Sequence, residues 1–469
     1  MIKNFASYVA ESAARIFLYP KRFIQKAFRQ TDPSSLKRFM RRGSIGSFGY
    51  RLIYFFLSFV GAALLARFLG TSGFGAYSLA IAWVGMLNIP AGLGLDKLLV
   101  REIAIYQKQA SWSLMNGLLR WANQTALFAC IGLALVAAIV SWFLIGHSNP
   151  QLLLTFWVSL ILLPLTTIRN LRLAAMRGLH HVLLGQLPEM LIQPLLLIVL
   201  VGGAYFLLGK DLNSLWAMAF TIVSYWVSFV IGVQLLLKKL PQPVKESSPQ
   251  YQPKIWMASA LPLMFIGAMQ VINGRTDALM LGALKGVEAV GVYSVVDRLS
   301  GFTLFFQGAI NMPLAPLASS LYAAGDMKRL ESIISKASLG VLLATLPLVA
   351  FLILGGHWCL SLFGPGFTQG QSALTILSLG QLVNAATGAV AVLLTMSGHE
   401  KFTAISIGAS AIVNVVLNAL LIPPWGVVGA ATATSTSIVL MNILMAVWVY
   451  KKMGIHSTVL GRLKLRRKA

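Results

Sequence analysis

The side chains of this chain best equipped for chemistry are a few charged and amide groups set inside long apolar stretches. Asp297 and Arg298 lie about ten residues into the stretch near 287–317, roughly 15 Å along a helix that rises 1.5 Å per residue. Tyr293, Asp297, Ser300, Gln307 and Asn311 recur at spacings of three to four or seven residues, which puts them on one helical stripe. The stretch near 255–281 repeats the pattern with Gly267, Gln270, Asn273 and Asp277. Arg275 points elsewhere, close enough to the outer end to snorkel. A guanidinium offers planar paired donors to phosphate oxygens, and Arg51 and Arg120 carry two more. A carboxylate held away from water can take up a proton or a cation, and amides and phenols meet hydroxyl groups. Ionisable groups at bilayer depth are costly and are usually functional or paired. The competing reading of Asp297 and Arg298 is therefore an ion pair that locks one helix against another.

The elements that position these groups follow from composition. Of 469 residues, 57% are hydrophobic and 11% charged, and the mean hydropathy is +0.77. A soluble domain carries roughly 25% charged residues, so this chain cannot cover a globular surface with polar groups. Soluble, disordered, collagenous and disulfide-rich classes are excluded, and an all-α integral membrane protein is expected. About 20 apolar residues cross the hydrocarbon. Such stretches occur near 46–69, 76–98, 117–145, 151–172, 187–208 and 214–237, then near 255–281, 287–317, 338–362, 371–396, 402–422 and 426–449. Twelve spans are expected, too evenly apolar for barrel strands.

Lys and Arg outnumber Asp and Glu by 38 to 13. Thirty-three of the 38 fall before or entering the first span, in the loops after even-numbered spans, or in the tail; the others are Arg67, Lys210, Arg275, Lys285 and Arg298. Cytoplasmic loops retain positive charge, so both termini are expected in the cytoplasm. Topology and anionic lipid account for the basic excess without nucleic acid. The divisions expected are a basic amphipathic extension over 1–42, a first lobe over 43–239, a cytoplasmic linker over 240–254, a second lobe over 255–450 and a basic tail over 451–469. Ile2–Tyr19 and Lys21–Arg29 mix Phe, Ile and Leu with Lys and Arg and suit the membrane surface; a cleaved signal peptide is not expected.

Several chemistries find no support. Cys130 and Cys359 fall inside separate spans as small apolar fillers. His180 and His181 are adjacent, do not face one another on a helix, and read as loop histidines rather than metal ligands. No GxxxxGK[ST] phosphate loop occurs, no connection is long enough for an extramembrane catalytic domain, and no enzyme, cofactor or metal is expected. Asp96, Arg101, Glu102, Arg169, Arg172 and Glu189 sit at cytoplasmic span ends, where local ion pairs suffice.

The chain also repeats itself. Leu69-Gly70 is followed by Gly75-Ala76-Tyr77-Ser78, and Leu281-Gly282 by Gly291-Val292-Tyr293-Ser294, 216 residues on. Asn88-Ile-Pro90 and Asn311-Met-Pro313 follow, at offsets differing by seven residues. Two six-helix lobes related by an axis along the membrane normal are expected, with a substrate cleft between them.

The repeat carries a resemblance. Ala66-Arg67-Phe68-Leu69-Gly70 through Gly73-Phe74-Gly75-Ala76-Tyr77 resembles the first outer loop of the oligosaccharide flippases. These are the polysaccharide-transport branch of the superfamily that also holds multidrug and toxin extruders. Gly92-Leu-Gly94, Leu99-Val-Arg101-Glu102, Arg177-Gly178-Leu179, Gln186-Leu-Pro188-Glu189, Leu362-Phe-Gly364-Pro365 and Gly426-Val-Val-Gly429-Ala430-Ala431 continue it, over about residues 43–450. The resemblance implies a twelve-helix, two-lobe transporter of alternating access in a bacterial cytoplasmic membrane. Its substrate would be a polyprenyl-pyrophosphate-linked oligosaccharide for surface or exopolysaccharide synthesis, driven by H+ or Na+, with a polymerase and glycosyltransferases as partners. On that footing Arg298, Arg275, Arg51 and Arg120 are candidates for the pyrophosphate. Gln270, Asn273, Tyr293, Gln307 and Asn311 are candidates for the sugars, and Asp297 or Asp277 for ion coupling. An ion-coupled exporter of cationic drugs and a non-transporting component of a glycan-assembly complex remain the alternatives. Arg beside each Asp favours an anionic ligand.

Overall fold

The structure, a computed structural model, describes residues 33–145, 150–208 and 212–456. The amphipathic stretches expected over Ile2–Tyr19 and Lys21–Arg29, and the tail from residue 457, lie outside them. The regular elements among the described residues are all helical. In chain order they are α1 (Pro33–Gly92), α2 (Leu95–Gln109), α3 (Trp112–Ile145), α4 (Pro150–Ser159), α5 (Leu162–Gly178) and α6 (Val182–Leu187). A π-turn (Pro188–Ile192) leads into α7 (Gln193–Leu208), followed by α8 (Ser214–Lys239) and α9 (Gln242–Glu246). Then come α10 (Pro253–Lys285), α11 (Val287–Gly301), α12 (Thr303–Ala323), α13 (Met327–Leu354) and α14 (Gly356–Ser361). A 3-10 turn (Pro365–Gly370), α15 (Gln371–Thr387), α16 (Val390–Met396) and α17 (Glu400–Met453) complete the order.

Eight helical runs among the described residues are long and apolar enough to cross a membrane, and two bent pairs raise the number to ten. The twelve expected spans are reached only if α1 and α17 each count twice. Both are long enough. The apolar run Leu52–Gly92 has 41 residues and α17 has 54, about 60 and 80 Å at 1.5 Å per residue, against a core of about 30 Å. Each is broken at one glycine, Gly70 (φ 65°) and Gly426 (φ 53°), in a region that side-chain-bearing residues avoid. Where separate spans are expected on either side of 70–75 and 423–425, the helical run continues to a single non-helical residue, preceded in α17 by Pro423 and Pro424, which bring no N–H to the helix. The span expected over 287–317 is likewise two helices, α11 and α12, bent by 40°. The 3-10 turn with α15 meets α16 at a 44° bend beside Gly388 (φ 77°).

Outward faces carry large apolar side chains, with Phe128, Phe143 and Leu354 at 74, 75 and 87% exposure, a surface that only lipid makes tolerable. Inward faces hold small and polar residues such as Ser224, Ser228, Ser406 and Ser410, which let helices approach closely. The chain divides into two compact units built around Gly49–Arg275 and Thr276–Ala469, and the division falls within α10. In the first, α2 buries Leu95, Leu98, Ile103 and Tyr106 against Leu118 of α3, Leu171 of α5 and Trp256 of α10. The apolar periodicity of α2 therefore serves a packed helix rather than a loop. In the second, Leu314, Ile334, Leu393 and Val449 pack α12, α13, α16 and α17 together.

Candidate functional site

Asp277 is the most deeply placed carboxylate among the described residues of the second unit, 4% exposed, eight residues before the end of α10. Its Oδ1 accepts hydrogen bonds from Asn414 Nδ2 (3.1 Å) and Asn418 Nδ2 (2.6 Å). Its Oδ2 accepts from Tyr293 Oη (2.7 Å) and Thr434 Oγ1 (2.6 Å). Asn414 and Asn418 stand one turn apart on α17 before the Gly426 break, and Thr434 follows it. The break therefore lets one long helix present donors to the same carboxylate from two directions. Asn418 Nδ2 also reaches Asn414 Oδ1 at 3.1 Å. Asn418 Oδ1 is buried with no hydrogen-bond donor.

All four hydrogen bonds come from neutral groups. Burying a carboxylate is costly without compensation, and removing hydrogen-bond partners from one is costlier still. This arrangement compensates the charge with dipoles and leaves oxygen atoms gathered around it. Asp277, Asn414, Asn418, Thr434 and Tyr293 together offer the oxygen donors that a proton or a small hard cation takes, as ion sites at broken helices do.

A second polar cluster joins the two bent helix pairs. Asn384 Nδ2 donates to Gln307 Oε1 (3.1 Å) and Gln381 Oε1 (3.2 Å). Asn442 Nδ2 donates to Asn384 Oδ1 (3.0 Å), and Thr387 Oγ1 to Asn442 Oδ1 (2.9 Å). Gln307 lies just beyond the α11–α12 bend, and Asn384 and Thr387 just before the α15–α16 bend. The amides thus tie both broken helices to α17.

The first unit is organised differently. Arg172, 3% exposed, is paired with Glu189 in the π-turn and donates to the carbonyls of Gly232 and Gly185, each at 3.3 Å. Arg169 donates to Gln193 Oε1 (3.3 Å) and lies 4.8 Å over the Tyr225 ring. Asn88 Nδ2 donates to Thr166 Oγ1 at 2.7 Å. Arg101 pairs with its neighbour Glu102 at 2.8 Å.

The expected site residues scatter over these settings. Tyr293 joins Asp277, and Gln307 joins the amide cluster. Asn311 and Asn273 are half-buried, and Gln270, Arg275, Asp297 and Arg298 are exposed. Arg275 belongs to no ion pair with Asp277, whose partners are all neutral. Arg120 is exposed, its Nε donating to Asn116 Oδ1 at 3.0 Å. Arg51 falls within α1, and its side chain lies outside the described residues. The stripe Tyr293–Asn311 does not stay on one face, because the bend after Gly301 re-aims everything beyond it. Asn414, Asn418, Thr434, Gln381, Asn384 and Asn442 were not among the expected residues. Their signal was amides in otherwise apolar spans, with Asn414 and Asn418 at i, i+4.

A Haloferax volcanii protein, "Probable low-salt glycan biosynthesis flippase Agl15", is 23% identical over 412 residues, 87% of this chain and 83% of that protein. A multidrug resistance MATE family transporter of the MOP superfamily in an inward-facing conformation has a TM-score of 0.71 at 15% identity. The match covers 85% of this chain and 94% of the other. Lipid II flippase MurJ, inward closed, has a TM-score of 0.66 at 15% identity, covering 87% of each chain. At these identities the structures establish a shared fold. The MatE family matches residues 262–420, and the family described as "Polysaccharide biosynthesis protein" matches residues 40–322, more than half the chain. This chain is a member of the polysaccharide biosynthesis protein family.

Proposed function

We propose that this protein flips a polyprenyl-pyrophosphate-linked oligosaccharide from the cytoplasmic to the outer leaflet of a bacterial cytoplasmic membrane. It opens alternately to either side, with both termini in the cytoplasm. The Asp277 cluster is the coupling centre, and taking up or releasing H+ or Na+ there resets the transporter between cycles. The observation that carries this reading is a membrane-buried carboxylate held by neutral donors across two segments of one broken helix. Binding a positive charge at such a point biases how the two segments of α17 sit on α10, which is the differential interaction that population shift requires. Arg275 and Arg298 are the guanidiniums assigned to the phosphates, and Gln307 and Asn311 the amides assigned to sugar hydroxyls. The chain carries out no bond-making step of its own. A polymerase and glycosyltransferases act before and after it.

Depleting the protein tests this reading. Cells should accumulate the completed lipid-linked oligosaccharide on the cytoplasmic leaflet while upstream synthesis continues. Accumulation of a truncated glycan instead would point to an assembly step. Unchanged lipid intermediates with altered sensitivity to cationic drugs would point to the exporter alternative.

A further inference from the structure

Lys97 reads in the sequence as one more basic residue at a cytoplasmic span end, yet the structure puts its ammonium elsewhere. The turn Leu93-Gly94 (φ 49° and 71°) folds α2 back against α10. There Gly94 packs so closely on the backbone of Ala260 and Met264 that no side chain could replace its hydrogen. That contact lays Lys97 along α10. Its Nζ donates to the carbonyl oxygen of Leu263 at 3.4 Å and stands 3.1 Å from where a Cβ on Gly267 would be. Leu263 and Gly267 are ten and fourteen residues into a 33-residue helix, about 15 and 21 Å along it, near its middle.

An ammonium at that level in a membrane helix is expected to pair with a carboxylate, and Lys97 belongs to no ion pair among the described residues. A single long hydrogen bond to a neutral carbonyl leaves two of its three N–H donors for something else. Arg275 lies farther along the same helix, passing over Gly85 of α1, where a Cβ would stand 3.3 Å from its Nε. Gly267 and Gly85 each leave out a side chain where a cationic arm runs. From Gly267 to Arg275 is eight residues, about 12 Å, so the two cations mark successive levels along α10. The exposed Gln270 lies between them.

We infer that Lys97 is a phosphate-binding residue of this protein, the inner of two cationic stations of which Arg275 is the outer, contacting the pyrophosphate of the lipid-linked substrate. The inference rests on the flippase reading. Its contact with the Leu263 carbonyl is exchanged for a charge-assisted bond to a phosphate oxygen, which is shorter and stronger. Lys suits an inner station because it engages phosphate as a point charge on a flexible stem and releases it readily.

The experiment titrates a radiolabelled long-chain polyprenyl pyrophosphate into the purified full chain in detergent, with inorganic pyrophosphate in a separate titration. Lys97→Met should weaken lipid binding about tenfold, the loss of one charge-assisted hydrogen bond. Lys97→Arg should restore it to within about twofold, and the salt dependence of binding should flatten in Lys97→Met. Gly267→Val, which crowds the ammonium without removing it, should weaken binding in the same direction. Should Lys97→Met fold poorly, that second variant carries the test. Binding by the unaltered protein that survives both Lys97→Met and Gly267→Val would overturn the station alone. No binding by the unaltered protein would overturn the flippase reading with it. Inorganic pyrophosphate binding as tightly as the lipid would overturn the assignment to a lipid-borne phosphate.

Discussion

The two units carry the same tyrosine on the same scaffold and do different things with it. In the first, Tyr77 Oη lies 3.1 Å from Thr221 Oγ1. In the second, Tyr293 Oη lies 3.2 Å from Thr434 Oγ1, and the tyrosines are 216 residues apart. The same offset that carries Tyr77 onto Tyr293 carries Gly61 onto Asp277, Ile198 onto Asn414 and Gly202 onto Asn418. The register is physical as well as arithmetic. A Cβ on Gly61 would meet Ile198 Cγ1 at 3.5 Å, the counterpart of the contact Asp277 makes with Asn414. One repeat therefore has a Tyr–Thr hydrogen bond whose threonine stands about one helical turn out of that register, since the offset carries Thr221 onto Ser437. The other unit adds a carboxylate and two amides around its own Tyr–Thr contact. What both units keep serves packing. What one unit alone has is free to serve chemistry, and that difference singles out Asp277 more strongly than its burial does.

The largest effect expected from this asymmetry is on coupling. Asp277→Asn keeps the shape and most hydrogen bonds of the cluster, since the hydroxyls of Tyr293 and Thr434 can turn to accept, but removes the charge that an ion must neutralise. Flipping in reconstituted vesicles should lose its dependence on an imposed H+ or Na+ gradient while the protein stays folded. Retained gradient dependence would move the coupling role to Asp297.

A reciprocal change attacks the comparison from the other unit. Gly61→Asp places a carboxylate against Ile198, where the offset puts Ile198 and Gly202 in the places of Asn414 and Asn418. A buried charge left wholly uncompensated costs about 3–5 kcal/mol; with the Tyr77 hydroxyl in the place of Tyr293, the loss should be smaller than that and still appear as a fall in the thermal midpoint of the purified protein. Adding Ile198→Asn and Gly202→Asn rebuilds the two amide donors of the second unit and should recover part of that loss. A triple variant no more stable than Gly61→Asp alone would mean that the repeats are not in the register drawn here.

Much of this was legible in the sequence, and the gaps have specific causes. Composition and apolar length set the membrane class, and the Gly-x-Tyr-Ser element picked out Tyr77 and Tyr293, each of which meets a threonine hydroxyl within its own unit. The twelve spans expected include a division near Gly70 and another near Gly426; what apolar length does not show is that each turns on that single non-helical glycine inside one helical run. The polar stripe Tyr293–Asn311 assumed a straight helix, whereas Gly301 lies at a bend that sends Tyr293 inward to Asp277 and Gln307 to Asn384. Asp277 itself was readable as a charge at depth, but its partners sit about 140 to 160 residues away on α17, and helical spacing within one span cannot report them. Lys97 stayed hidden for the opposite reason: spacing within its own segment does not show that the left-handed turn at Leu93-Gly94 lays it along α10.

The smallest effect is the most discriminating between the units, because the same substitution is made in both. Tyr293→Phe removes a hydroxyl that donates to a carboxylate, a bond of the kind worth about 1.5–3 kcal/mol. Tyr77→Phe removes one between two neutral hydroxyls inside a membrane, where such bonds average about 0.6 kcal/mol. Both leave the ring packing in place, so each difference from the unaltered protein reports the hydroxyl. Unfolding of the two purified variants should rank Tyr293→Phe as clearly more destabilised. Asp277→Asn should narrow that gap, since the phenol then accepts from a neutral amide. Equal losses in the two variants would mean that Asp277 is not held as an anion by its neighbours, and the second unit would be no more specialised than the first.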